Sequence, residues 1–334
     1  MFVPLAQYVF AGLLALASGT SCVTVETPPA PPVSNEAGAV FFESLPAADQ
    51  GDDALVSTRR LDRAGRLPDG QLAQLTPQEH MRRAAAYLAN RAFAEAREHW
   101  QTLVARYPTD ANVPAALFGM GRSLYQERRY SDALPFFDRL GREFAGQKEG
   151  REGYYYVAAT LLRLDRAADA ATRYGDYVAR FPQGERVENA HLNAIDSWRE
   201  AGRNDQAIQW IARTRERYRG TPSDANALFA HLRLDIASGD WQSALTAADE
   251  LRKANFTPAV QTTQSEVAYL RAFALERLKQ TAQAAAVYQS VPDRAASYYG
   301  ELATARLQTL DAASKRAATT RAASVRTEID AAAG

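Results

Sequence analysis

Apolar and polar positions along this chain recur together with a spacing of 37 residues. Ala96, Ala133, Ala170, Ala207 and Ala244 stand one period apart, and Ala284 follows after 40. Four residues beyond the Ala comes a large apolar side chain in most copies: Trp100, Phe137, Tyr174, Ile211 and Tyr288. Tyr107, Phe144, Phe181 and Tyr218 keep the same step. Each period resolves into two helices. In one copy Ala116, Gly119, Met120 and Leu124 recur at helical spacing, and Ala133, Phe136, Phe137 and Leu140 do so after a polar break. The next copy repeats this with Tyr154, Val157 and Leu161, then Ala170, Tyr174 and Val178. The breaks fall in phase at Asn90-Arg91, Arg128-Arg129, Asp165-Arg166, Gly202-Arg203 and Gly239-Asp240, and Pro108, Pro182 and Pro222 separate copies. A period in this range signals a solenoid, whose units bury their faces only against their neighbours. The pattern predicts an all-α chain built as a right-handed α-α superhelix of about six helix pairs.

The recurring Ala has a physical reason. A larger side chain there would hold two helices apart, while the bulky residue one turn later fills the groove between units. This arrangement resembles the tetratricopeptide repeat (TPR), and Tyr107-Pro108 and Phe181-Pro182 match its closing dipeptide. Two copies depart from it, with Phe144-Ala145 and Tyr218-Arg219, and the period exceeds the usual ~34. The resemblance covers Gln78 to Pro292. The fifth copy has Ala248 where the bulky residue belongs, so irregular geometry is expected there.

Outside the array the composition changes. Val9 to Ala17 is an apolar run too short to span a bilayer, and it leads to Gly19-Thr20-Ser21-Cys22. Two readings stay open: a lipoprotein signal that makes Cys22 a lipidated first residue, or a plain signal cut after Ala15-Leu16-Ala17. Both place the protein in the periplasm, and the first anchors it to the outer membrane. Residues 23–76, opening on Thr27-Pro28-Pro29-Ala30-Pro31-Pro32, read as a disordered tether with a brief helix near Gln71. The expected order is thus signal 1–22, tether 23–76, array 77–292, closing helix 293–310 and an Ala-rich helical or frayed tail 311–334. Lys plus Arg and Asp plus Glu each number 39, so the net charge of zero argues against nucleic acid as the ligand.

The closing copy is more specific. Ser297-Tyr298-Tyr299-Gly300, then Leu302-Ala303 and Arg306-Leu307, resembles the end of the helical superstructure in soluble lytic murein transglycosylases. In that family a catalytic domain follows, with a Glu-Ser pair and a Gly-Leu-Met-Gln segment. Nothing after Leu307 matches it, and the Glu43-Ser44 pair lies in the tether. The resemblance therefore implies the non-catalytic part of such an enzyme, with no catalytic residue. His80, His99, His191 and His231 lack the spacing of a helical zinc site and read as surface or groove residues. No metal and no cofactor are expected.

TPR arrays line their concave face with first helices. In register, Met81, Phe118, Tyr155, Leu192 and Phe229 share one position, Ala85, Arg122, Ala159, Asp196 and Arg233 the next, and Leu88, Tyr125, Leu162, Arg199 and Ile236 a third. The first column reads either as core or as groove. The groove reading picks out Phe118, Arg122, Tyr125, Tyr155, Arg199 and Arg233 as contacts for a peptide or a glycan. Two roles follow: a peptidoglycan-linked scaffold, or an envelope-assembly lipoprotein that binds protein partners.

Overall fold

The structure, a computed structural model, describes residues 52–291 and 297–310, together with 312, 316 and 319. The leader, Cys22, the Pro cluster and Glu43-Ser44 lie outside the described residues, as does most of 311–334. The described residues form fourteen α-helices and no strand. Helix α1 (Asp52–Gly65) precedes the pairs α2–α3 (Pro77–Ala89, Phe93–Arg106), α4–α5 (Val113–Gln126, Tyr130–Glu143) and α6–α7 (Lys148–Arg163, Ala167–Arg180). The pairs α8–α9 (Val187–Glu200, Asn204–Arg217), α10–α11 (Pro222–Ser238, Trp241–Leu251) and α12–α13 (Gln264–Arg277, Thr281–Ser290) follow, and α14 (Tyr298–Thr309) ends the array. The chain divides into two compact units, residues 1–116 and 117–334.

The polar breaks inside each pair are one turn used six times. Arg91, Arg128, Asp165, Gly202, Gly239 and Lys279 all take positive φ, between 57° and 79°. The N–H after each bonds back five residues: Ala92 to Tyr87, Arg129 to Leu124, Arg166 to Leu161, Arg203 to Trp198, Asp240 to Asp235 and Gln280 to Leu275. The left-handed residue itself bonds back three, as Arg128 does to Tyr125. These two bonds define the Schellman motif, which satisfies carbonyls a helix end would otherwise leave unpaired. Four of the six positions are not glycine, although the left-handed region favours it.

The repeating Ala residues meet the expectation of close contact. Ala96, Ala133, Ala170, Ala207, Ala244 and Ala284 are each 0% exposed, and Trp100, Phe137, Tyr174, Ile211 and Tyr288 are buried after them. Packing is tightest where α5 turns into α6. A Cβ on Gly150 would lie 1.8 Å from the Phe144 carbonyl oxygen, and one on Gly153 would lie 2.5 Å from Leu140 Cβ. Only glycine lets these two helices approach so closely.

The fifth pair is irregular, as Ala248 suggests. With no bulky anchor, α11 stops at Leu251, and residues 252–263 cross to α12 without a helix. Asn226 holds that crossing, donating to the Ala259 carbonyl at 3.1 Å and accepting from the Gln261 N–H at 2.7 Å. This insertion accounts for the step of 40 between Ala244 and Ala284.

The first unit corrects two expectations. Residues 23–76 do not form a single disordered tether, because Asp52–Gly65 is helical; the segment around Gln71, where a short helix was expected, has none. Helix α1 is fixed through its polar face. Asp62 accepts from Arg83 Nη1 at 2.5 Å and from the Tyr87 hydroxyl, and its Oδ2 lies 3.1 Å from His99 Nε2. Arg59 and Arg66 pair with Glu95 and Glu98. Nor are three of the four histidines surface residues; His231 alone stays partly exposed. His80 and His99 are buried with Nδ1 atoms 3.0 Å apart, and His191 is buried in the second unit. The 3.6-residue pattern marks polar positions as outward, but each of these rings is buried with at least one polar partner, His99 for His80 and Thr214 for His191, while Nε2 of both His80 and His191 has none among the described residues.

Candidate binding surface on the first helices

All six groove candidates lie in the second unit, on α4, α6, α8 and α10. They separate into two groups.

Phe118, Arg122, Tyr125 and Tyr155 belong mainly to the interior. Phe118 is 1% exposed and packs edge-on against Phe137 and Tyr156, with ring centroids at 6.0 and 5.5 Å. Tyr155 is 6% exposed and stands edge-on to Tyr174 and Tyr177 at 5.3 and 5.8 Å. Arg122 lies over the Tyr156 ring at 4.7 Å and donates to its hydroxyl. Tyr125 meets Tyr130 and Tyr156 edge-on at 5.1 and 5.9 Å. Burial raises the phenol pKa of Tyr125 and of Tyr155, so both hydroxyls stay neutral hydrogen-bonding groups. These four hold α4, α5, α6 and α7 together, so the groove reading fails for the buried Phe118 ring and the Tyr155 ring. Aromatic side chains at this spacing bury more apolar area than any open groove would allow.

Arg199 and Arg233 differ. Helices α8 and α10 touch, and the two guanidinium charges lie within electrostatic reach of each other. Arg199 pairs with Asp196 at 2.8 Å through Nη1, while its Nε is buried without a partner. Arg233 is half-buried and has no hydrogen bond or ion pair among the described residues; its Cζ lies 5.6 Å from the centroid of the Phe229 ring. Burial first, and then the Arg199 charge, lower its pKa below the ordinary value. Asp196 and Glu266 oppose that shift from a distance. Asn193, one turn before Asp196, donates to the Tyr155 hydroxyl at 2.6 Å.

Several participants escaped the sequence reading. Glu266 accepts from Tyr299 at 2.5 Å and from Thr262 at 2.8 Å, and burial raises its pKa. Tyr299 and Arg306, read as part of a family ending, have structural duties: Arg306 forks onto Glu276 at 2.7 and 2.9 Å. Ser297 caps α14 by accepting from the Gly300 N–H at 3.1 Å. The helical period places all of these on one end of the array, but not which of them meet. Two depressions lie elsewhere, beside α7. One, of about 610 Å³, has Leu134, Pro135, Val157 and Leu161 among its walls, and the other, of about 370 Å³, has Trp198 and Trp210.

Comparison with known proteins agrees on the class. Family profiles of the tetratricopeptide repeat match residues 81–147 and 266–298. The chain is thus an all-α tetratricopeptide-repeat protein, and such repeats are protein-binding scaffolds. Similar solved structures include a tetratricopeptide repeat protein from Parabacteroides merdae, at 12% identity over 70% of this chain and 85% of that one, with a TM-score of 0.49. PilW, a type IV pilus biogenesis factor, is 15% identical over 73% of this chain and 98% of its own, with a TM-score of 0.44. A thermophilic TPR protein of Thermus thermophilus is 17% identical over 60% of this chain and 100% of its own, with a TM-score of 0.35. No curated protein matches the chain.

Proposed function

We propose that this chain is an exported, non-catalytic scaffold of the bacterial cell envelope that holds a protein partner against the first helices of its second unit. The half-buried, unpaired Arg233 is the observation that carries the reading. A charge withdrawn from water without a partner costs free energy that packing alone does not explain. The apolar run Val9–Ala17 and the following Cys22 support export and a lipid anchor at the outer membrane. Among the described residues no helix is long and apolar enough to cross a membrane.

The experiment is site-specific photo-crosslinking in producing cells. A crosslinker at Asp196, on the first-helix face, should join the chain to a defined envelope protein. The same group at Asp169, beside α7, should not. Equal capture at both positions would remove the reading.

A second role is supported by Ser297–Leu307, whose resemblance to lytic transglycosylases links the chain to peptidoglycan. Retention on purified sacculi, without release of muropeptides, is its expected signature.

A further inference from the structure

We propose that the outward face of α1 rests on an anionic phospholipid surface, with Arg60 and Arg63 at its phosphates and Val56, Leu61 and Leu67 at its acyl boundary. The inference rests on the reading that the chain is exported and anchored through Cys22, and it adds a second point of contact with the same membrane.

Among the described residues five large apolar side chains are exposed, and three of them fall between positions 56 and 67: Val56 at 62%, Leu61 at 49% and Leu67 at 40%. The other two, Ile208 and Tyr298, stand singly on α9 and α14, and scattered apolar residues are ordinary on a surface. On α1 the apolar residues combine with charge. Val56, Arg60 and Arg63 share one stripe at helical spacing, Ser57, Leu61 and Ala64 share the next, and all six are exposed. Arg60 and Arg63 have no ion pair among the described residues, whereas Arg59 and Arg66 pair with Glu95 and Glu98. The exposed acid Asp53 lies about two turns before Arg60, so the last turns of the face carry an excess of positive charge.

The inner face fixes this orientation. Asp62 is held by Arg83 and Tyr87 of α2 and by His99 of α3, which keeps the two exposed stripes turned away from the array. Such a face suits lipid better than protein. It has no aromatic anchor of the kind that centres a tight protein interface. Phosphates move laterally to meet each guanidinium, and the acyl boundary receives aliphatic side chains without a matching shape. Chain length permits the contact. Asp52 follows Cys22 by 30 residues, at most about 100 Å of extended chain, so an acyl anchor at Cys22 keeps α1 near the bilayer. Tethering raises the local concentration, so a face too small to bind a membrane alone is sufficient there.

The test uses the full chain in producing cells, with a photo-crosslinking group at Val56 or, as a control, at Asp169. Mass spectrometry should find phospholipid joined at Val56, and about fivefold less or lower still at Asp169. An arginine near an anionic surface is worth about fivefold in binding. Arg60→Gln combined with Arg63→Gln should therefore cut the lipid adduct at Val56 about fivefold or more, with an unchanged melting temperature, because neither guanidinium has an ion pair to lose. Arg60→Lys combined with Arg63→Lys should keep most of the adduct. A second arm needs no variant of the arginines: the anchored chain, extracted and returned to vesicles, should form the adduct in phosphatidylglycerol and about fivefold less in phosphatidylcholine. An adduct indifferent to the arginines or to lipid charge, or a protein joined at Val56 in place of lipid, overturns the contact and leaves export and anchoring standing. An unacylated Cys22, with the chain outside the membrane fraction and no lipid adduct, overturns both.

Discussion

The two compact units share one turn and one helix pair but fill their interiors with different chemistry. Around α1–α3 the first unit buries a charged network in which Asp62 is held by Arg83, Tyr87 and His99 and His99 meets His80. The second unit, over α4–α7, buries a run of rings: Phe118, Phe137, Tyr156, Tyr155, Tyr174 and Tyr177. Polar networks are directional and fail when one member is lost, whereas aromatic packing is spread over many weak contacts. The difference follows position. A terminal helix has only one neighbour to bury against, and α1 turns its polar face inward, leaving Val56 and Leu61 exposed. Interior repeats are covered on both sides and accept apolar bulk.

The largest expected effects are on the two centres themselves. Asp62→Ala leaves Arg83, Tyr87 and His99 without their shared acceptor inside the protein, and should destabilise the first unit by about 3–5 kcal/mol. Phe137→Ala should cost the second unit a similar amount, about 3–5 kcal/mol, by opening a cavity. The two separate under partial repair. Phe137→Leu should recover much of the loss, while Asp62→Asn should recover little, because it keeps the shape and loses the charge. Hydrogen exchange read helix by helix checks both, and equal recovery would erase the distinction between the units.

Acid comes next. His80 is held at about 4, by burial first and then by the charge of His99, and His191 at about 4 by burial. Both lie below the ordinary value of about 6.5. The unfolded chain therefore binds protons that the folded chain refuses between those limits. Stability is full above about 6.5 and is lost as pH falls toward 4, by roughly 3 kcal/mol for each ring at most. His191→Leu should flatten this dependence in the second unit alone. His80→Leu should flatten it in the first while also disturbing His99 and hence Asp62, so its neutral-pH stability should fall as well. Urea midpoints between pH 7 and pH 4 give the comparison; an unchanged slope in His191→Leu would refute it.

Much of this architecture was legible in the chain. The buried Ala series, five of the six breaks and the irregular stretch after Ala248 all came from spacing, since a solenoid imposes the same local demand at every period; the sixth break, at Lys279, falls inside the step of 40 and was not legible from it. The site was legible only in part. Register placed Arg199 and Arg233 on the first-helix face, but it placed Phe118 there too, and periodicity alone does not separate a half-buried guanidinium from a ring that fills the core. Asp62 was hidden for a different reason. It lies 37 residues from His99, yet it occurs in a stretch whose Pro and Asp content reads as loop, and only tertiary pairing makes that stretch a helix.

The smallest effect asks whether the turn is indifferent to what the units bury. Gly202 and Gly239 already occupy two of the six left-handed positions, whereas Arg91 holds the first and Arg128 the second. A side chain in that conformation costs about 1–2 kcal/mol, part of which glycine gives back through its greater freedom when unfolded. Arg128→Gly should therefore stabilise the second unit by about 0.5–1 kcal/mol, since the Arg128 side chain is exposed and an exposed side chain offsets little of the strain. Arg91→Gly in the first unit also loses the stacking of Arg91 over Phe93, at 5.4 Å, so its gain should be smaller by about 0.5 kcal/mol. Melting curves of the two variants decide the point. If Arg91→Gly gained more than Arg128→Gly, the turn would be responding to the charged interior behind it, and the shared turn would not be independent of the two cores.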